Sequence, residues 1–450
     1  MNKFSLTIIK IISVIVFCFF AFNRTEAATY YVNNANAKAS DTNPGTQASP
    51  WKTIGKASTA MSAGDTAIVM AGTYKEILAS TRSGTSANRI KFKASGNVNL
   101  QSANINHDYI TVDGFNFNDG GVIDINTGNY CEILNNKLIP GWITMHYLDT
   151  ADKPTGCLIK GNILKSHKSL DGDYVVIQIF GSKHIVENNE IGPSSDIDAF
   201  RLWGHDNIIR NNYAHDMTYS PNSKSHMDGF QIFGDNGWAS YNQLIENNRF
   251  INSDGQLFMT STDGVTGIHD IIVRNNVFAR FNQNANIGIK NMSFLNNTFY
   301  DVGIFSGNKT TFGTSENATF KNNIFIGING YNLTDYDANL FLSEGYTSTW
   351  VFQNNFFSTL NGAALKNFDS LTQAKAINGG TVNFTNIATN DFSIKPGSVT
   401  IDKGQTLTGF SYDLTGNPRP QGEAWDMGAY EYGANSVTTL LPPSNLRIPK

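Results

Sequence analysis

The segment 223–234, "SKSHMDGFQIFG", places groups that can transfer protons beside the alternation of a β-strand. His226 and Asp228 precede alternating residues, of which Phe230 is expected to face a core and Gln231 to face outward. An imidazole and a carboxylate held together can act as a general acid and a general base on a bound molecule. What they can do here depends on the residues that lie above and below this strand.

A short motif with a doubled asparagine recurs through the chain, as in "IVENNEI" and "IIRNNYA". Its second asparagine recurs about every 27 residues, at Asn136, Asn162, Asn189, Asn212, Asn248, Asn276, Asn297, Asn323 and Asn355. A repeat of this length with two short strand-like runs indicates a solenoid, because propeller blades need about 40 residues and the spacing of leucine-rich repeats is missing. The sequence predicts an all-β fold: a single-stranded right-handed parallel β-helix of roughly ten coils with stacked asparagines.

Aligning the coils by their strand-like runs places Asp228 over Asp198 of the preceding coil, and His226 over Asp196. The outward positions then form two rows, which contain Gln178, Arg201 and Gln231, and Phe180, Trp203, Phe233, Thr260 and Lys290. The inward row that follows Phe230 continues with Leu257. Three carboxylates, an imidazole and a guanidinium within two coils are expected to shift one another's pKa values.

Two interpretations of this cluster are open. It is either a solvated turn in which Arg201 pairs with Asp198, or one wall of a groove that binds a glycan. An outward aromatic row favours the groove, because such a surface is costly to expose without a partner. The insertion 214–226 would form the side of that groove. The predicted substrate-binding residues are Gln178, Trp203, His205, Gln231 and Phe233.

Both ends of the chain resemble a known group of proteins. The segment "ATYYVNN…SDTNPGTQASPWKTIGKASTAMSAGDTAIVMAGTY" (28–74) resembles the opening of secreted right-handed parallel β-helix proteins of the pectate-lyase-like superfamily. The segment 391–432, which ends in "DMGAYEY", resembles their closing segment. The resemblance implies an N-terminal cap with a short helix around "WKTIGKASTAM". It does not identify a reaction, since lyases, hydrolases, epimerases and non-catalytic proteins share this fold.

The predicted organisation is one domain between two short terminal segments. Residues 1–27 carry two lysines, an apolar run and small residues at Thr25 and Ala27, which is typical of a secretory signal peptide that is cleaved after Ala27. The β-helix spans 28–435, with a cap and first coils in 28–100 and a closing segment in 380–432. An extended tail follows at 436–450. We therefore expect a secreted protein.

Composition limits the class of partner. Removal of residues 1–27 changes the formal net charge from −4 to −6, which gives no attraction for nucleic acid. No later segment is apolar enough for a membrane span. The chain has no HExxH, paired CxxC, G-x-S-x-G or P-loop motif, so zinc-protease, serine-hydrolase and nucleotide chemistry lack support and no nucleotide cofactor is expected. We expect a monomer with a polysaccharide substrate.

The first functional hypothesis is a lyase that cleaves a uronic-acid-containing polysaccharide by β-elimination. This reaction needs a cation near the substrate carboxylate, a base for the C5 proton and an acid for the leaving oxygen. The resemblance implies an Arg or Lys base, Arg201 or Lys290 here, and Ca²⁺ held by stacked aspartates, Asp196 and Asp198. His226 and Asp228 complete the predicted catalytic set.

Two other hypotheses remain open. A glycoside hydrolase would use paired carboxylates, of which Asp198 and Asp228 are the first candidates. A non-catalytic glycan-binding protein needs only the aromatic row, and an epimerase would alter sugars without cutting the polymer.

Cys131 and Cys157 each lie four residues before the first position of the asparagine motif. They should therefore stack on adjacent coils at about 4.8 Å. That spacing permits a disulfide, and a buried reduced pair is the alternative.

Overall fold

The structure is a computed structural model that describes residues 27–145, 154–166, 174–233, 239–261, 267–283, 285–302, 305–306, 316–328, 349–365 and 374–433. The predicted tail, and all of the predicted signal segment except Ala27, fall outside these ranges and stay predictions. The described strands form one continuous parallel sheet of 34 strands and one antiparallel pair. No described helix is long and apolar enough to cross a bilayer.

The helical content lies mainly near the N-terminus. Helix α1 (Ile54–Ala60) falls within the segment predicted to contain a helix, and the hydroxyl of Thr53 caps it by accepting from the backbone N–H of Lys56. Two long strands, β2 (Thr66–Ala79) and β3 (Ile90–Ile105), then run through all three strand rows of the first coils.

Each later coil contributes one strand to each of three rows, which we call rows A, B and C. Row A precedes the asparagine turn and contains β1 (Thr29–Val32), β4 (Ile110–Asp113), β7 (Glu132–Leu134), β10 (Leu158–Lys160), β13 (Ile185–Glu187), β17 (Gly204–His205), β18 (Ile208–Arg210), β21 (Ser240–Glu246), β24 (Ile268–Arg274), β27 (Lys290–Leu295), β30 (Thr319–Lys321) and β32 (Val351–Gln353).

Row B follows the asparagine turn. It contains β5 (Asn116–Phe117), β8 (Lys137–Leu138), β11 (Ile163–Leu164), β14 (Glu190–Ile191), β15 (Ser194–Ser195), β19 (Tyr213–Thr218), β22 (Arg249–Ser253), β25 (Val277–Phe281), β28 (Thr298–Val302), β31 (Ile324–Ile328), β33 (Phe356–Ser358) and β34 (Ile377–Asn378).

Row C completes the coil. It contains β6 (Gly121–Ile125), β9 (Gly141–Met145), β12 (Val175–Ile179), β16 (Asp198–Leu202), β20 (Asp228–Phe233), β23 (Gln256–Ser261), β26 (Ala285–Ile287) and β29 (Phe305–Ser306). Because the pairings between successive coils are parallel throughout these rows, the predicted all-β parallel β-helix is confirmed.

The doubled asparagines have the predicted structural role. At Asn211, the first residue of one pair, φ is 55°, a left-handed conformation that asparagine tolerates. The second residue, Asn212, is buried, and its amide donates to Oδ1 of Asn248 on the next coil (3.0 Å) and to the carbonyl of Val186 (2.9 Å). Its own Oδ1 accepts from the backbone N–H of Asn189 (3.0 Å). This pattern repeats from coil to coil.

Replacing Asn212 with alanine should lower the free energy of unfolding by about 2–4 kcal/mol, because it leaves buried donors of Asn189 without an acceptor. Asn211→Gly is the matched control. Glycine adopts a positive φ freely, so this change should cost less than about 1 kcal/mol. Urea unfolding of both variants checks the prediction, and equal losses would contradict the different roles of the two asparagines.

The core contains stacked aromatic rings. Phe230 lies between Phe200 (ring centroids 5.1 Å apart) and Phe258 (5.4 Å). The register also aligns Gln178, Arg201 and Gln231, as predicted. The predicted alignment of the next coil is wrong by one residue: Phe230 pairs with Phe258 rather than Leu257, and Thr260 pairs with Ile232 rather than Phe233. Because 257–259 are all apolar, alternation alone does not determine the register there.

The C-terminal segment packs along the asparagine turns of the last coils. Side-chain amides of four asparagines donate to its backbone carbonyls: Asn275 to Tyr412, Asn296 to Asp426, Asn322 to Gln405 and Asn354 to Lys403. The segment also contains β35 (Phe384–Asn386), a 3₁₀ turn (Ile387–Thr389) and β36 (Asp391–Ile394). The first asparagines of these coils thus hold the segment in place.

Cys131 and Cys157 stack on adjacent coils, as predicted. Both are buried free thiols, and the backbone N–H of Cys131 points at Sγ of Cys157 (3.3 Å). Contact with Cys131, together with burial, raises the pKa of Cys157 well above its usual value. The reduced alternative therefore describes this structure.

Candidate functional site

Three residues converge at the corner where the chain passes from row B to row C. Asp198 begins β16 and Asp228 begins β20, while residues 219–227 bring His226 over both carboxylates. Nδ1 of His226 lies 3.3 Å from Oδ2 of Asp228 and 3.7 Å from Oδ1 of Asp198. The backbone N–H of Asp228 donates to Oδ1 of Asp198 (2.8 Å). Parallel stacking therefore brings Asp198 and Asp228 together, as the alignment predicted. His226 lies on these two carboxylates and not on Asp196, over which the alignment placed it.

The three side chains differ sharply in exposure. Those of Asp198 and Asp228 are 1% and 0% exposed, whereas that of His226 is 52% exposed. The imidazole thus stands between two buried carboxylates and the solvent.

Arg201 completes the charge balance of the cluster. Its Nη2 lies 2.6 Å from Oδ2 of Asp198, and its guanidinium carbon lies 6.0 Å from the ring of Trp203. With His226 protonated, the two cations match the two carboxylates in charge, which lowers the cost of burying them. Because Arg201 is buried and ion-paired, it is not placed to act as the predicted base.

The cluster holds His226 in its charged form. Contacts with the carboxylates of Asp198 and Asp228 raise the pKa of His226 to about 10. Burial raises the pKa of Asp228 to about 6, against the opposing effect of His226. Near pH 7 the exposed group is therefore an imidazolium that can donate a proton or meet a negative charge.

Two predicted residues lie elsewhere. Lys290 belongs to row A, where it pairs with His269 in the sheet register and its ammonium lies 2.9 Å from Glu316. Its predicted place beside Phe233 is wrong, because the segment 285–291 crosses from row C to row A. His205 also lies in row A and stacks on a tyrosine of the next coil.

Both predicted metal ligands contact other groups, and Asp198 is paired with Arg201. Asp196 is buried, and its Oδ1 accepts from the backbone N–H of Ser220 (3.0 Å). Among the described residues, the group with metal-ligand spacing is Asp198, His226 and Asp228, whose atoms lie within 4.8 Å of one another. Ca²⁺ prefers six to eight oxygen ligands. An imidazole and a carboxylate already bound to Arg201 do not fit that preference.

The predicted outward aromatic row is not an open surface. Phe180 and Trp203 are only 2% and 8% exposed and pack with the core, and Trp203 Nε1 donates to the carbonyl of Phe233 (2.9 Å). Alternation predicts the side of the strand to which a side chain points, but not what covers it. Gln178 and Gln231 lie beside Arg201 in the sheet, as predicted, and Gln231 is also buried.

Sequence reasoning missed Tyr219, which lies in the insertion between β19 and the cluster. Its hydroxyl accepts from Nε2 of Gln283 (3.0 Å), and its backbone N–H donates to Oδ2 of Asp254 (3.1 Å). Burial raises the pKa of Tyr219, and the negative charges of Asp228 and Asp198 raise it further. The only available signal was its position in an insertion just before His226.

The sequence matches no protein-family model and no curated protein. The fold, in contrast, matches solved structures. One is XylC in complex with xylose, with a TM-score of 0.51, 13% identity and coverage of 89% of this chain and 98% of that one. Another is the pectate lyase Pel9A, with a TM-score of 0.50, 16% identity and coverage of 91% and 97%. At these identities the likeness establishes the fold, not the reaction. The chain is a parallel β-helix protein, and its fold is similar to the folds of these two structures.

Proposed function

We propose that this protein is a polysaccharide lyase that cleaves a uronic-acid-containing polymer by β-elimination, with His226 as its principal catalytic group. The observation that carries the proposal is an exposed imidazolium placed over two buried carboxylates at the corner between rows B and C. Pectate lyase Pel9A, which has the same fold, adds a precedent for this class of reaction but no residue assignment.

The positions of the carboxylates argue against a hydrolase built on Asp198 and Asp228. A glycosidase needs two carboxyl groups that flank the scissile bond, with at least about 5 Å between them. Here both carboxylates are buried behind the same imidazole, and one is paired with Arg201. They are placed to act on His226 rather than on a sugar.

An exposed imidazolium fits two requirements of elimination. It can neutralise developing negative charge on a uronate, and its Nε2 can give a proton to the leaving oxygen. In that step a water molecule takes the C5 proton, the C5–H electron pair forms the C4=C5 double bond, the C4–O bond breaks, and the leaving oxygen takes the proton of His226. Asp198 and Asp228 keep the imidazole charged, and Arg201 holds Asp198 in place.

A panel of polysaccharides tests the proposal. The protein should produce the ultraviolet absorbance of a conjugated C4=C5 bond from at least one uronate polymer, and from no neutral polymer. New reducing ends without that absorbance would indicate a hydrolase. Binding without either product would indicate a glycan-binding protein.

The pH dependence of kcat/KM should follow the two shifted groups. As pH falls through about 6, Asp228 takes up a proton and no longer supports the imidazolium, so activity should decline. As pH rises through about 10, His226 loses its proton and activity should decline again. A single rise near the usual histidine pKa of about 6.5 would contradict this arrangement. The residual activity of Asp228→Asn should lack the acid-side decline.

A further inference from the structure

A cleft of about 230 Å³ lies at the same corner of the helix as the His226 cluster. It is lined by Ile139, Pro140, Lys165, Ser166, Pro193, Ser194, Ser195 and Thr218. These residues come from four successive turns between rows B and C, so the cleft extends for about 14 Å along the helix axis.

Short stretches of the chain connect the cleft to the His226 cluster. Ser194 and Ser195 lead directly into the strand that begins at Asp198, and Thr218 leads into the segment that carries Tyr219 and His226. The cluster therefore belongs to the same two coils as the C-terminal end of the cleft, and the cleft continues over two preceding coils.

Two partly exposed aromatic side chains belong to the two N-terminal coils of the cleft. Trp142 follows Pro140 by two residues, and Tyr174 lies at the start of the next coil, with ring centroids 6.4 Å apart. Tyr174 is 37% exposed. Unlike Phe180 and Trp203, these rings present apolar surface to solvent.

The cleft also contains a positively charged side chain. Lys165 is partly buried in it, and its ammonium makes no ion pair within the described residues. Serine and threonine hydroxyl groups from the neighbouring turns supply additional hydrogen-bonding atoms. An acidic polysaccharide has the complementary groups. Its carboxylates can pair with the ammonium, the apolar faces of its sugar rings can pack on the aromatic side chains, and its hydroxyl groups can form hydrogen bonds.

We infer that this cleft binds the acidic polymer on one side of the bond that is cleaved. Lys165 binds a uronate carboxylate, and Trp142 and Tyr174 pack against the apolar faces of sugar rings. The inference rests on the proposed function and gives the direction in which the polymer leaves the His226 cluster, toward the N-terminal coils.

Binding, measured by calorimetry without turnover, tests the inference. The probes are oligogalacturonate, oligomannuronate and a neutral xylo-oligosaccharide, each titrated into the His226→Gln protein and into the same protein with Lys165→Met or Trp142→Ala. Lys165→Met should weaken binding of at least one acidic probe by about tenfold or more, with no effect on the neutral one. Trp142→Ala should weaken binding of the same acidic probe. Lys183→Met, which removes an exposed lysine at another corner, is the control and should change nothing.

The outcomes separate this inference from the proposed function. If Lys165→Met binds every acidic probe as well as its parent does, the subsite is wrong even where the wild-type protein cleaves a uronate polymer. If Lys165→Met loses binding but the wild-type protein cleaves none, the subsite stands and the lyase proposal fails. Failure of all the probes to bind would overturn the inference.

Discussion

Replacing His226 with glutamine should lower kcat/KM on the cleaved polymer by about 10²–10⁴-fold, the usual contribution of a general acid or base. Glutamine keeps a polar side chain over Asp198 and Asp228 but cannot carry their matching charge or donate a proton as an imidazolium. Because the His226 side chain is 52% exposed, its removal leaves no core cavity and the variant should stay folded, although its thermal midpoint should fall because the buried Asp228 loses its matching charge.

His269→Gln is the matched control for this result. His269 is also an exposed histidine paired with an aspartate, with Nδ1 2.6 Å from Oδ2 of Asp270, but it lies in row A. Its replacement should leave kcat/KM unchanged. Equal activity of the two variants, or unfolding of the His226 variant, would show that the cluster stabilises a turn and is not a catalytic site.

Replacing Arg419 with methionine should lower the free energy of unfolding by about 3–5 kcal/mol, because it leaves a buried carboxylate without its partner. Nη1 of Arg419 lies 2.6 Å from Oε1 of Glu431, and both side chains are 0% exposed. The guanidinium also donates to the carbonyl of Gly428 (2.9 Å) and to Oδ1 of Asn275 (3.2 Å). The pair therefore ties the C-terminal segment to a coil of the helix.

Two further variants make this prediction specific. Arg419→Met combined with Glu431→Gln should recover part of the lost stability, because the unpaired charge is gone. Lys290→Met breaks the exposed pair with Glu316 and should cost less than about 1 kcal/mol. Denaturant unfolding measures all three, and an Arg419 variant as stable as the Lys290 variant would show that the buried pair does not hold the segment.

The fold and half of the site were predictable because both follow from the period of the repeat. The asparagine motif sets the coil length, and parallel stacking then places Asp198, Asp228 and Arg201 together without knowledge of any loop. His226 followed because it stands only two residues before its strand. For these four residues, the spacing along the sequence is enough to predict the position in the coil.

The rest of the site depends on features that have no period. Lys290 was misplaced because apolar residues at successive positions allowed a one-residue slip in the preceding coil and because its segment crosses to another row. Trp203 points outward but is covered. Tyr219 and Tyr174 lie outside regular strands, where strand alternation does not predict which way a side chain points. The partly exposed pair of aromatic rings is Trp142 and Tyr174, whereas Phe180 and Trp203 of the predicted outward row are buried.

The masses of the products from an oligouronate of defined length test the central claim most directly. Elimination breaks the chain without adding water, so the masses of the two fragments must sum to the mass of the parent, and one fragment must carry the unsaturated sugar. The wild-type protein should give this result, and the His226→Gln protein should give no fragments under the same conditions. Fragments whose masses sum to the parent plus one water would show hydrolysis and would contradict the account.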